Sequence, residues 1–170
     1  MKAYFKKLVF ILLLTVSGIY IHAQTPPDFD LIKLEKAPDY RAAEPFALQT
    51  SVYILSTPFK EENKDRLKSL QFLVKWMSGT PDYSFVLEEI ATKVFKNDKD
   101  LLGVYLAAMT RYALEHKDSA KDAKVLRLNA IIIVLNYCEN KDNNMKMTKQ
   151  LKKLADAKAE GKLEESLQKI

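Results

Sequence analysis

Histidine occurs only at positions 22 and 116, and that scarcity narrows the available chemistry at once. A zinc site draws two or more of its ligands from imidazoles or thiolates, yet Cys138 is the single cysteine. No HExxH, GxSxG, glycine-rich phosphate loop or cysteine-protease signature occurs. Asn140-Lys141-Asp142-Asn143-Asn144 lacks the central glycine and distal glutamate of an EF-hand loop. The sequence therefore predicts neither a bound metal nor a cofactor. His116, in Glu115-His116-Lys117-Asp118, falls at a predicted helix C-terminus, where the dipole favours a cationic imidazole, so its expected role is capping. The acidic pairs Glu61-Glu62 and Glu88-Glu89 read as solvated faces, and Asp98 and Asp100 as helix-start carboxylates. Carboxylate pairs of the glycosidase kind meet in space and not in sequence. A hydrolase using carboxylates or His116 thus stays open as the enzymatic alternative.

Two places carry residue types suited to binding. Phe72, Trp76, Tyr83 and Phe85 span a predicted break between helices. Trp76 there is either a core anchor or, with Asp82 and Tyr83, the lining of a ligand or partner groove. Near the C-terminus, Lys146, Lys149, Lys152 and Lys153 oppose Met147, Leu151 and Leu154. Such a helix either docks by its apolar stripe or rests its lysines on an anionic membrane surface. Lys149, Lys152 and Lys153 are the residues assigned to that contact. Cys138 lies in an apolar run and reads as a buried small hydrophobe. A lone cysteine excludes an intrachain disulfide, and its position excludes a lipid anchor at the mature N-terminus.

The elements that must position these groups begin behind an address. Lys2, Lys6 and Lys7 precede an apolar run over 8–21, followed by Ala23, the order of a cleaved secretory signal over residues 1–23. Removing it takes away those three lysines and no acid, so the net charge falls from +5 to +2. A near-neutral chain of this kind offers no case for nucleic acid as partner. Residues 24–42, with Pro26, Pro27 and Pro38, read as an extended or short-helical arm, and 43–170 as one helical domain.

After Pro81 the chain has no proline and only Gly103 and Gly161, too few turn residues for a β-domain. The pattern predicts an all-α fold, an irregular bundle of about five to six helices. Their expected spans are near 44–56, 58–78, 81–96, 98–117, 120–139 and 144–168. Thr57-Pro58 and Thr80-Pro81 are expected to open helices, and Gly79 to close one in a left-handed conformation. Ser119 with Asp122 suggests a capping box, and Asn143 or Asn144 the start of the last helix. In the second helix Leu67, Leu70, Leu73, Val74 and Met77 are expected to line the core face. The fifth, apolar nearly all round from Ala130 to Leu135, is expected to be central. Arg66-Leu67 to Trp76-Met77 can be laid over Arg127-Leu128 to Tyr137-Cys138, so a short helical-hairpin array is the alternative architecture.

Residues 66–117, with Lys75-Trp76-Met77-Ser78-Gly79-Thr80-Pro81-Asp82-Tyr83 and Asp100-Leu101-Leu102-Gly103-Val104-Tyr105-Leu106-Ala107-Ala108-Met109, follow a lysine-led leader that ends at Ala23, with Gln24 after the expected cut. Together these segments resemble uncharacterised helical proteins exported by Bacteroidota. The resemblance implies secretion across the inner membrane to the periplasm or the exterior, and it carries no known activity. The expectation is a non-catalytic binding or interaction module of the cell envelope, partnered by a protein or envelope component. A small-ligand or lipid carrier, with a cavity among Tyr105, Met109, Ile132 and Tyr137, is the alternative.

Overall fold

In the computed structural model, residues 25–87, 89–95 and 98–170 are described. The expected signal over 1–23 lies outside the described residues. The arm from Thr25 onward ends where Asp39 accepts hydrogen bonds from the backbone N–H groups of Lys36 (3.0 Å) and Glu35 (3.1 Å). Those two bonds, Lys36's first, hold the Asp39 carboxyl below its usual range. With Pro38 in the first turn they open α1 (Ala37–Ala42), which runs into α2 (Glu44–Ser56). Asn63 caps α3 (Lys64–Gly79) by accepting from Arg66 N. After an extended stretch come α4 (Glu89–Phe95) and α5 (Lys99–Glu115), the latter capped by Asp98. Asp122 caps α6 (Ala123–Glu139), Thr148 caps α7 (Lys149–Ala159), and α8 (Leu163–Gln168) follows.

All regular structure among the described residues is helical, as the sequence predicts, and the arrangement is an irregular bundle. Its axis is α5, however, and not α6. Helix α5 packs against α2, α3, α4 and α6. Its small residues Gly103, Ala107 and Ala108 allow that crowding, and a Cβ at Gly103 would meet the Leu70 methyl at 2.9 Å. Two apolar clusters meet across it. Leu34, Ile54, Leu73 and Trp76 join Ala107 and Leu114 on one side. Val104, Tyr105, Ile131, Val134, Leu151 and Leu167 form the other. Leu34 and Ala43 are buried in the first cluster, and Phe29 stacks on Phe72 at 4.7 Å, so the arm belongs to the folded unit.

Several expected boundaries move, each for a local reason. Thr57 and Thr80 are C-caps, donating their N–H to Tyr53 O and Trp76 O at 3.0 Å, and the prolines after them continue the chain away from the helix. The helix expected over 58–78 therefore starts at Lys64, and the one expected from 81 shrinks to α4. Gly79 is not left-handed; a Cβ there would lie 2.2 Å from Cζ of Tyr40, so close approach is what requires glycine. Ser119 starts a short 3-10 turn, leaving the cap to Asp122. Asn144 takes a left-handed conformation after a second such turn, and the last long helix waits for Thr148. Gly161, with φ of 70°, closes α7 as Lys162 N donates to Ala157 O at 2.8 Å.

Candidate functional site

Helix α3 turns an unexpected face inward. Arg66 and Ser69 are buried in line with Phe72, Leu73 and Trp76, while Leu67 and Val74 stand 58% and 47% exposed. The rotation is set by packing at both ends of the helix, where Trp76 enters the core and Arg66 reaches back to α2. Arg66 Nη1 donates to the carbonyls of Ile54 (2.8 Å) and Thr57 (3.3 Å), satisfying the C-terminus of α2. Its guanidinium lies 6.0 Å from the Phe59 ring centre and 5.8 Å from that of Tyr137, within cation–π range of both. Tyr137 Oη donates to Thr57 O at 2.7 Å, and Phe59 N donates to Asn143 O at 2.8 Å, fixing the two rings. Among the described residues Arg66 Nη2 makes no hydrogen bond of good geometry, and it is sealed from solvent, with the Tyr137 hydroxyl beside the guanidinium. A buried cationic donor left unpaired is costly, on the order of 1–3 kcal/mol or more.

That side chain lies in a cleft of about 620 Å³ between the α2–α3 connection and the start of α5. Phe59, Leu67 and Leu70 give it apolar walls, and Lys60, Glu61, Glu62, Asn63, Lys64 and Asp100 complete the lining. Arg66, 4% exposed, is the one buried residue among them. Asp100 sits in the first turn of α5. Burial, then the charge of Asp98, pushes its carboxyl above the usual range, against the pull of Arg66. Glu62 has a left-handed backbone, with φ of 61°, an uncommon conformation for a side-chain-bearing residue. The cleft can therefore hold a small molecule and present to it the exposed charges of Lys60, Lys64, Glu61, Glu62 and Asp100 beside apolar surface.

The residues expected to bind fall elsewhere. Trp76 is fully buried, and its Nε1 donates to Tyr40 O at 2.9 Å. Tyr83 and Phe85 close over it with ring centres 5.8 and 5.9 Å away. The indole thus has no surface for a ligand; it is the core anchor, and the groove reading of Trp76 is corrected. Asp82 is taken by Arg41 in a two-bond pair of 2.7 and 3.0 Å, which holds its carboxyl below the usual range. Tyr83 is half-buried, and that burial raises its hydroxyl pKa. Lys149, Lys152 and Lys153 are exposed and make no ion pair among the described residues, whereas Leu151 and Leu154 of the same helix are buried. Helix α7 docks by its apolar stripe and leaves its lysines to solvent.

The other candidates are accounted for by structure. His116 is the exposed C-cap of α5, its ring 4.6 Å from that of Tyr112. Burial pushes the Cys138 thiol up to about 12, so it is neutral and unreactive at ordinary pH. Tyr105, Met109 and Tyr137 are buried in the second cluster. Among the described residues no three His, Cys, Asp or Glu side chains gather as a metal site requires, and no helix is long and apolar enough to cross a membrane. Sequence reasoning missed Arg66 as a site residue. The available signal was its spacing from Trp76, ten residues back along one helical face, with Ser69 and Leu73 between. No protein-family model, curated protein or solved structure matches the chain.

Proposed function

We propose that the chain is an exported, non-catalytic binding module of the cell envelope whose ligand occupies the Arg66 cleft. The observation that carries this reading is the cleft of about 620 Å³ itself, whose lining combines an exposed leucine, two lysines and three carboxylates around a buried arginine. A concave site of that size with apolar walls and a few charged groups is the usual form of a small-molecule pocket. His116 is exposed, its ring tilted against that of Tyr112, and it does not line the cleft, which weighs against a hydrolase built on it. The cleft lies on the surface, away from Tyr105 and Met109, so a carrier would load its ligand there and not within the bundle. The exported address rests on residues 1–23 of the sequence.

Native mass spectrometry of the exported chain, exposed to a small-molecule extract, tests the reading. A retained ligand that is lost on Leu67→Asp, a change at an exposed position, is the expected result. Retention of nothing, or equal retention by the variant, would sink it. The unpaired Lys149, Lys152 and Lys153 support a second contact, with an anionic envelope surface. Co-sedimentation with anionic vesicles, lost in the triple alanine variant, is its measure.

A further inference from the structure

We infer that residues 141–153 form a docking face for an anionic phospholipid bilayer, held there by charge alone. This rests on the surface contact proposed above, extends it to Lys141 and Lys146, and names its partner. The segment carries five lysines, Lys141, Lys146, Lys149, Lys152 and Lys153, against one acid, Asp142. With the chain beyond residue 23 at +2, that surplus of four leaves everything else in it at −2. All five lysines are exposed, and none makes an ion pair among the described residues. The first turn of α7 has no acid and its cap, Thr148, is neutral. Lys149 and Lys152 thus add to the positive end of the helix dipole, where carboxylates would offset it. The fold gathers like charges here at a cost that an anionic surface removes. Open ammonium groups on long stems match an extended negative surface, whereas lysine is depleted from interfaces between folded proteins. Helix α7 has no apolar face to spare, since Leu151 and Leu154 are buried, so the contact is peripheral and screened by salt. The connection ahead of α7 also touches the cleft. Phe59 N donates to Asn143 O at 2.8 Å, and Asn143 Nδ2 donates to Tyr137 O at 2.9 Å. Docking by this face therefore brings the Phe59–Lys60 edge of the cleft toward the bilayer.

Co-sedimentation of the exported chain with phosphatidylcholine vesicles, with and without phosphatidylglycerol, tests this. Binding is expected to the anionic vesicles alone and should disappear at about 0.5 M salt. Changing Lys149, Lys152 and Lys153 together to alanine should cut it by about a hundredfold, and Lys141 with Lys146 by about twentyfold. Changing Lys33, Lys68 and Lys75 to alanine removes as much charge from other exposed surface and should leave binding within about twofold. An equal loss in that control, or binding that survives salt or needs no anionic lipid, overturns the bilayer assignment. The orientation is read from a dye attached through Lys60→Cys or Lys75→Cys, Cys138 being buried. Lipids with spin-labelled headgroups should quench the first dye and spare the second, and equal quenching overturns the placement of the cleft edge. Retention on a soluble anionic polysaccharide, lost with the three lysines of α7, beside no vesicle binding would leave the surface contact standing and overturn its bilayer partner. Binding to neither overturns both, and the cleft reading is then judged by mass spectrometry alone.

Discussion

The two ends of α3 hold the two most specific polar side chains of the molecule, and they are treated in opposite ways. At the C-terminal end Trp76 is enclosed with its indole N–H bonded to Tyr40 O, Asp82 is paired with Arg41, and Tyr83 and Phe85 close the corner. At the N-terminal end Arg66 is enclosed with one nitrogen unmet, beside a cleft and an exposed Leu67. A satisfied polar group enclosed in the core specifies packing, whereas an open cleft with charged lining leaves room for a ligand. The contrast assigns stability to the corner and binding to the opposite end.

The largest effect that tests this contrast is Trp76→Ala. Removing a fully buried indole should cost about 3–5 kcal/mol, read as a fall in the urea midpoint. A loss below about 1 kcal/mol would mean that the corner does not anchor the core. Next comes the same substitution made at both ends. Gly79→Ala drives a methyl into the Tyr40 ring, which is itself held by the Trp76 bond to its carbonyl and by its hydroxyl on Leu34 O. We expect it to destabilise by about 1–3 kcal/mol. Gly103→Ala meets only the methyl end of Leu70, which borders the open cleft and can turn aside. There the gain in helix propensity, about 1 kcal/mol, should leave stability near or slightly above the parent. Equal losses at the two glycines would erase the distinction between a closed and an open end.

Arg66→Met sharpens the contrast further. It strips a donor from Ile54 O, while Thr57 O keeps the Tyr137 hydroxyl. It also removes the unmet Nη2, so the two changes partly cancel, and the net loss should be about 1 kcal/mol by urea unfolding. Retention of a cleft ligand, by contrast, should fall, because Arg66 holds the Phe59 wall and the end of α2 in place. A loss as large as that of Trp76→Ala would make Arg66 a structural strut like the indole.

The all-α class and the start of α2 at Glu44 were legible because proline, acidic first turns and the scarcity of glycine act locally. So was Asp98, whose side chain caps its own helix. Thr-Pro was misleading because a proline soon after a C-cap looks the same in sequence as one at a helix start. The site was hidden for a different reason. The core face of α3 is fixed by partners far along the chain, Ile54 and Tyr137, and an arginine on that face reads as polar surface until they are in place. Leucines at 67 and 70 and Val74 then point periodicity toward a face the fold leaves partly in solvent. Trp76 was visible as an anchor but also as a groove residue, since type alone does not say whether an indole is covered.

The smallest effects concern pH, and they should differ in sign between the ends. Asp82 has a folded pKa below its unfolded value, because Arg41 bonds its charged form. Its contribution to stability is present above the unfolded pKa of about 4 and is lost as pH falls through the folded one. Asp82→Asn should therefore be less stable than the parent near neutrality, with the gap closing in acid. Asp100 has a folded pKa above its unfolded value. Stability falls there as pH rises from about 4 through the folded pKa, because the fold disfavours the charge. Asp100→Asn should then exceed the parent near neutrality and match it in acid. Both pairs are exposed to solvent screening, so urea midpoints followed from acid to neutral pH will shift only slightly. If the two differences run in the same direction with pH, the two ends of α3 are not divided as their polar groups suggest.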